Sequence, residues 1–228
     1  MPPLILASGS PRRREWLGAL GLAFAVIPSG VDETPPAGAT PPEVAESLAL
    51  VKAQDVAARH PDAYVIGSDT LVTIDGAILG KPTDAADAAR MLRTLRGRTH
   101  RVATGVALVP PRATGGETKS FVEVADVTMH PFTEVAMGAY LATDEPYDKA
   151  GGYAVQGAGG ALVAGIGGCY TCVVGFPICR VAALLRDAGY TFPRDPAAAC
   201  DPGTRCALLP QGLEAEGIHH RGTESTEK

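Results

Sequence analysis

Three consecutive arginines, Arg12, Arg13 and Arg14, follow Ser8-Gly9-Ser10-Pro11, where a serine able to cap a helix precedes a proline suited to the first helical position. The helix macrodipole disfavours cations in that first turn by roughly 0.3–1 kcal/mol each, so an anion is the natural compensation. Free amides around Ser10 and the hydroxyls of Ser8 and Ser10 would complete a phosphate site large enough for a triphosphate. A solvated basic helix end explains the same fragment equally well, because arginine is commonly exposed. Further along, Lys52 falls, at 100° per residue, inside an apolar arc of Val44, Ala45, Leu48, Ala49, Val51 and Val56. It must either face a pocket or snorkel its ammonium outward along its stem. Two carboxylates stand out beside these cations. Asp69 closes a short buried strand, a position that often faces a crevice, and Glu33 lies in a Pro-, Gly- and Thr-rich loop from which it could offer a second oxygen ligand. Each also reads as an ordinary turn or cap residue.

Other patterns lead away from familiar chemistry. Gly76-Ala77-Ile78-Leu79-Gly80-Lys81-Pro82 has three rather than four residues between its glycines, and proline stands where a Walker motif needs Ser or Thr. The glycine-rich stretch 151–168 contains no G-x-G-x-x-G, since Leu162 occupies the last glycine position after Gly157 and Gly159. Cys169 and Cys172 form a C-x-x-C without a second one to match, and Cys200 and Cys206 are wrongly spaced for it, which disfavours a zinc or redox centre.

The elements that must position these residues can be read from punctuation and period. Residues 4–7 read as a buried strand, a helix runs from Pro11 to about residue 20, and residues 22–27 read as a second strand, giving β-α-β. Residues 43–59 have helical periodicity. Residues 64–66 and 71–74 are strand-like with Asp69 between them, and Asp75-Gly76 turns the chain into a return strand at 77–79. Thr83 is placed to cap a helix carrying Asp84 and Asp87 in its first turn and ending before Gly97. Residues 101–109 and 121–129 predict a long antiparallel hairpin, followed by a helix over 134–142. Eight glycines among the 18 residues from 151 to 168 suit a backbone-lined floor, and a helix over 178–188 closes the domain. Residues 1–192 are thus expected to form one α/β domain and residues 193–228 a polar tail.

The formal charge of −5 carries no basic excess for a nucleic-acid backbone, so any phosphate site must be local. The apolar opening is too short for a signal-peptide core, no stretch approaches 18 apolar residues, and an odd cysteine count argues against a disulfide framework. A soluble cytoplasmic protein with reduced thiols and no membrane partner is expected.

Taken together, Leu6-Ala7-Ser8-Gly9-Ser10-Pro11-Arg12-Arg13, Gly67-Ser68-Asp69-Thr70, Ile78-Leu79-Gly80-Lys81-Pro82 and Asp148-Lys149-Ala150-Gly151-Gly152-Tyr153-Ala154-Val155-Gln156-Gly157 resemble the Maf family in order and spacing, over residues 4–190. The resemblance implies a mixed-sheet α/β fold with flanking helices and two lobes around a cleft, like the inosine triphosphate pyrophosphatases. It implies a homodimer that splits nucleoside triphosphates into monophosphate and pyrophosphate with Mg2+ or Mn2+. By position, Asp69 resembles the family's general base, Lys81, Lys52, Arg13 and Ser8 its phosphate contacts, and Glu33, with Asp69, its metal or water partner. Arg12, Thr70 and Gln156 resemble the branch acting on dTTP and UTP. The amide of Gln156 can both donate to and accept from a uracil or thymine edge. Ser68, Cys169 and Cys172 depart from the usual family residues. The family's association with septum formation leaves a nucleotide-binding regulator of cell division as the alternative to an enzyme.

Overall fold

Leu4, Ile5 and Leu6 are all buried, as expected of a strand with parallel neighbours on both sides and cover on both faces. In the computed structural model, which describes residues 1–35, 38–194 and 196, they form β1 (Leu4–Leu6), parallel to β2 (Ala25–Val26) and to β3 (Tyr64–Ile74). The remaining pairings are antiparallel, through β5 (Thr99–Val109), β6 (Lys119–Met129) and β7 (Val163–Gly167). The mixed sheet has the order β2-β1-β3-β5-β6-β7, with β4 (Ala77–Leu79) folded back on β3. Helix α1 (Pro11–Ala19) is capped by Ser10, whose hydroxyl accepts from the Arg13 amide.

One face of the sheet is covered by α2 (Pro41–Arg59), through Ala49, Ala53 and Val56 against Val65 and Ala107. Small residues set its distance. A Cβ on Gly67 would lie 2.3 Å from the Ala49 carbonyl oxygen, and one on Gly105 would lie 2.1 Å from that of Ala45. The opposite face carries two separate cores. Near β1, Leu6, Ile66, Val106 and Leu108 pack with Leu17 of α1 and with Val181 and Leu185 of a C-terminal helix, α6 (Ile178–Asp187). Toward the other ends of β3 and β5, Val72, Ile74 and Val102 pack with Leu92 and Leu95 of α3 (Ala85–Leu95) and Met137 of α4 (Glu134–Leu141). Between the cores the same face bears Ser68, Thr70 and Thr104. The hydroxyls of Ser68 and Thr104 meet the backbone around α5 (Tyr170–Val174), Ser68 donating to the Gly175 carbonyl and Thr104 to that of Cys172, while the Thr70 hydroxyl is hydrogen-bonded to that of Thr104. Two cores divided by a polar belt produce two lobes.

Several expectations are corrected. β3 is one unbroken strand, with Asp69 in its middle rather than at the end of a short one, because β5 pairs with it from Val65 to Thr73. Gly67 and Ser68, which look like an interruption, are the small residues that α2 and α5 require there. β2 pairs only at residues 25–26, since β1 offers three residues. α2 starts at Pro41, because Thr40 and Glu43 form a capping box and prolines at the first two positions forgo amides with no partner in the helix. Asp84, not Thr83, caps α3, accepting from the Asp87 amide, while the Thr83 amide donates to the Asp87 carboxylate. β7 and α5 had no period to announce them: one is glycine-rich, and the other is five residues long. Of the tail, Pro193 comes back against Gly21, where a Cβ would lie 2.6 Å from its ring. The expectation for residues 197–228 lies outside the described residues.

Candidate active site

The cleft between the lobes has a volume of about 870 Å³. Ser8 and Arg12 reach it from the β1–α1 turn, Glu33 from its loop, Lys52 from α2, Asp69 and Thr70 from β3, and Lys81 from the chain leaving β4. Residues 73 positions apart in sequence, Ser8 and Lys81, thus share one cavity because β1, β3 and α2 pack together.

Lys52 faces the pocket rather than snorkelling. Although α2 is otherwise apolar at this point, Lys52 is only 6% exposed, and its Nζ lies 2.6 Å from Asp69 Oδ1 and 2.9 Å from Glu33 Oε1. The two carboxylates therefore converge on one cation. Among the described residues no group of three or more His, Cys, Asp or Glu side chains comes together as a self-sufficient metal cage.

Arg13 is placed differently from an open phosphate clamp. Its Nε donates to the Gly175 carbonyl at 3.0 Å, Nη1 to the Ser68 carbonyl at 2.8 Å and to Ser8 Oγ at 3.2 Å, and Nη2 to Thr70 Oγ1 at 3.0 Å. Four of the five guanidinium donors are thereby used within the protein. Burial lowers its pKa, and the charges of Asp69 and Glu33 oppose that loss. Arg13 therefore stitches α1 to β3 and α5 while delivering its charge to the cleft wall. Thr70 faces the cleft but has its hydroxyl on Arg13 and Thr104.

Gln156 is the one proposed site residue absent from the cleft lining. Its backbone carbonyl accepts from Arg12 Nη2 at 3.4 Å, which places it at the rim. Sequence reasoning assigned no role to Lys149, Asp148 or Tyr153, which also line the cleft. Lys149 is ion-paired with Asp148 and lies on an irregular turn. That turn is tied to the Lys81 segment by a hydrogen bond from the Gly151 amide to the Gly80 carbonyl, at 3.0 Å. No periodicity reports such a pairing; the cluster of charge and glycine at 148–152 was the available signal.

The C-x-x-C thiols serve packing. Cys172 donates to the Glu123 carbonyl at 3.2 Å, and burial, then Cys169, push its thiol up to about 12, far from a reactive thiolate. Cys200 and Cys206 lie outside the described residues.

Sequence comparison supplies what geometry cannot. The family described as Maf-like protein matches residues 3–188, nearly the whole of the fold described above. The chain belongs to the Maf family. Within it, a dTTP/UTP pyrophosphatase of Pelotomaculum thermopropionicum is 48% identical over 190 residues, covering 83% of this chain and 98% of that protein. Another protein of the same name, from Bacillus cytotoxicus, is 47% identical over 82% of this chain and 95% of its own. Among solved structures, a HAM1 protein from Coxiella burnetii aligns with 58% of this chain and 75% of its own at 20% identity and a TM-score of 0.43.

In this Maf protein one wall of the cleft leans on a buried histidine. Tyr153 Oη lies 2.7 Å from Nε2 of His100, and the rings meet edge to face. His100 is 2% exposed and its Nδ1 has no partner among the described residues. Burial pulls its pKa down to about 4 from 6.5, against a weaker opposing pull from Asp126. In the native state His100 stays neutral where the unfolded chain would protonate it, so stability is full above about pH 6.5 and is lost as pH falls toward 4. The loss should approach about 3 kcal/mol. Urea denaturation at pH 7, 6 and 5 should show this slope, and His100→Gln should flatten it. An unchanged slope in the variant would assign the acid sensitivity elsewhere.

Proposed function

We propose that the protein hydrolyses the α–β phosphoanhydride of pyrimidine nucleoside triphosphates, chiefly dTTP and UTP, to the monophosphate and pyrophosphate. The observation that carries this reading is Asp69 held by Lys52 in a cleft that also presents Arg12, Arg13 and Lys81. The names of the two relatives supply the substrate class. Water attacks the α-phosphorus in line, Asp69 takes its proton, and the bond to the bridging oxygen breaks, so that pyrophosphate leaves with the electron pair. Lys52 binds one Asp69 oxygen and fixes the carboxylate plane, leaving the other oxygen for the water. Lys81 and the hydroxyl of Ser8 bind phosphate oxygens, and Arg13 acts on the same charge from behind Ser8 and Thr70.

Glu33 and Asp69 would hold the divalent cation, Mg2+ or Mn2+. Two convergent carboxylates suit an ion whose remaining ligands are water and substrate phosphate. Bound there, the ion would supply Lewis-acid stabilisation of the phosphoryl oxygens. Arg12, Thr70 and Gln156 select the base, with Gln156 offering both a donor and an acceptor to a pyrimidine edge. We assign the activity to residues 1–192, in a cytoplasmic homodimer.

The test is product release from dTTP, UTP, CTP, GTP, ATP and 7-methyl-GTP with magnesium or manganese. Pyrophosphate, not orthophosphate, should appear. It should form at least about tenfold faster from dTTP and UTP than from the purines, the discrimination of one good hydrogen bond to a charged or buried group. Another favoured base would discard the roles given to Arg12, Thr70 and Gln156. No turnover of any triphosphate would replace hydrolysis by nucleotide binding.

A further inference from the structure

The glycine-rich segment that ends the cleft wall wraps around an anion belonging to the protein itself. Oε1 of Glu145 accepts from the Gly159 amide at 2.9 Å, and Oε2 accepts from the Ala158 amide at 3.0 Å. Tyr140 Oη donates to Oε1 at 3.2 Å and accepts from the Ala154 amide at 3.2 Å. Successive backbone amides turned inward form a nest that prefers an anion. Here the nest is already filled by Glu145. The glycines follow from that contact: a Cβ on Gly157, whose φ is +96°, would lie 2.4 Å from Oε2, and one on Gly159 would lie 2.9 Å from Tyr140 Oη. Burial and then the charge of Glu145 raise the pKa of Tyr140, which keeps its proton available as the donor.

Gln156 sits midway between the two anchored points, Ala154 and Ala158, and its carbonyl meets Arg12 on the third side. None of these anchors touches the catalytic carboxylate. Resting on the pyrimidine reading above, we propose that Glu145, acting with Tyr140, is a positioning residue for base selection, holding the 154–159 loop so that Gln156 is presented at the cleft rim. Glu145 acts on the substrate only through this loop, so its loss should weaken recognition of the base and spare the chemical step.

The test is steady-state kinetics of the full chain as wild type, Glu145→Gln and Tyr140→Phe, with dTTP, UTP and GTP. Glutamine keeps the shape but turns an amide N–H toward a backbone N–H, and phenylalanine removes only the hydroxyl. Glu145→Gln should raise KM for dTTP about tenfold and lower the dTTP-to-GTP ratio of kcat/KM by a similar factor, with kcat within about threefold. Tyr140→Phe should move the same two quantities in the same direction by less. Unchanged selectivity in both folded variants, or an equal fall in kcat for every nucleotide, would overturn the proposal. The wild-type rates separate the two readings: a wild type without pyrimidine preference removes the basis for both, whereas a selective wild type with equally selective variants removes only the role of Glu145.

Discussion

Asp69→Asn is expected to lower turnover of dTTP by about 10³-fold, the usual contribution of a general base, while nucleotide affinity changes little. The substitution keeps the size of the side chain and its place in the middle of β3. What it removes is the ability to take a proton from water and one of the two negative charges that meet Lys52. Glu33 remains 2.9 Å from Lys52, so the buried ammonium keeps a partner and the fold should persist. Single-turnover pyrophosphate release and nucleotide binding, compared at one magnesium concentration, would separate the two effects. Unimpaired release would remove Asp69 from the base role, and a parallel loss of binding would mark it as a ligand of metal or substrate alone.

The second large effect is expected at a position that carries no charge of its own. Gly105 is the cross-strand neighbour of Asp69, and a Cβ there would lie 2.1 Å from the Ala45 carbonyl oxygen and 2.6 Å from Glu46 Cα. Backbone cannot swing aside as a side-chain tip can, so Gly105→Ala must push α2 off the sheet. The cost should be about 3 kcal/mol or more, the upper end for overpacking a close-packed core. Because Lys52 rides on α2, the same displacement should separate it from Asp69 and depress activity in whatever fraction remains folded. Thermal denaturation should show a Tm lowered by about 6 °C or more in a domain of this size. Gly138→Ala is the control: Gly138 lies on α4 with open space around it, so alanine should be neutral or stabilising. Equal behaviour of the two variants would show that α2 is not seated as tightly as its glycines indicate.

These two experiments also mark where sequence reading stops. The β1–α1 unit with its Ser10 cap, the β3–β4 turn at Asp75-Gly76, the β5–β6 hairpin and the gathering of Ser8, Arg12, Glu33, Lys52, Asp69 and Lys81 follow from local period, turn chemistry and family motif. What escaped depends on contacts between distant segments. Gly67 and Gly105 look like breaks in a strand until α2 is laid across them. Arg13 looks like a free phosphate ligand until Gly175, Ser68 and Thr70 take up its donors. The glycines after residue 156 look like a floor for substrate, and the anion they enclose is Glu145.

The lining of the cleft has a consequence for how substrate arrives. Arg12, Arg13, Lys52, Lys81 and Lys149 oppose Glu33, Asp69 and Asp148, so five positive charges against three negative leave +2 in the cleft, while the whole sequence carries −5. The cleft is a positive island in a negative field. At physiological salt a charge is felt over about 8 Å, so this excess acts on an anion already at the mouth of the cleft, and the opposite charge of the rest of the chain leaves it local.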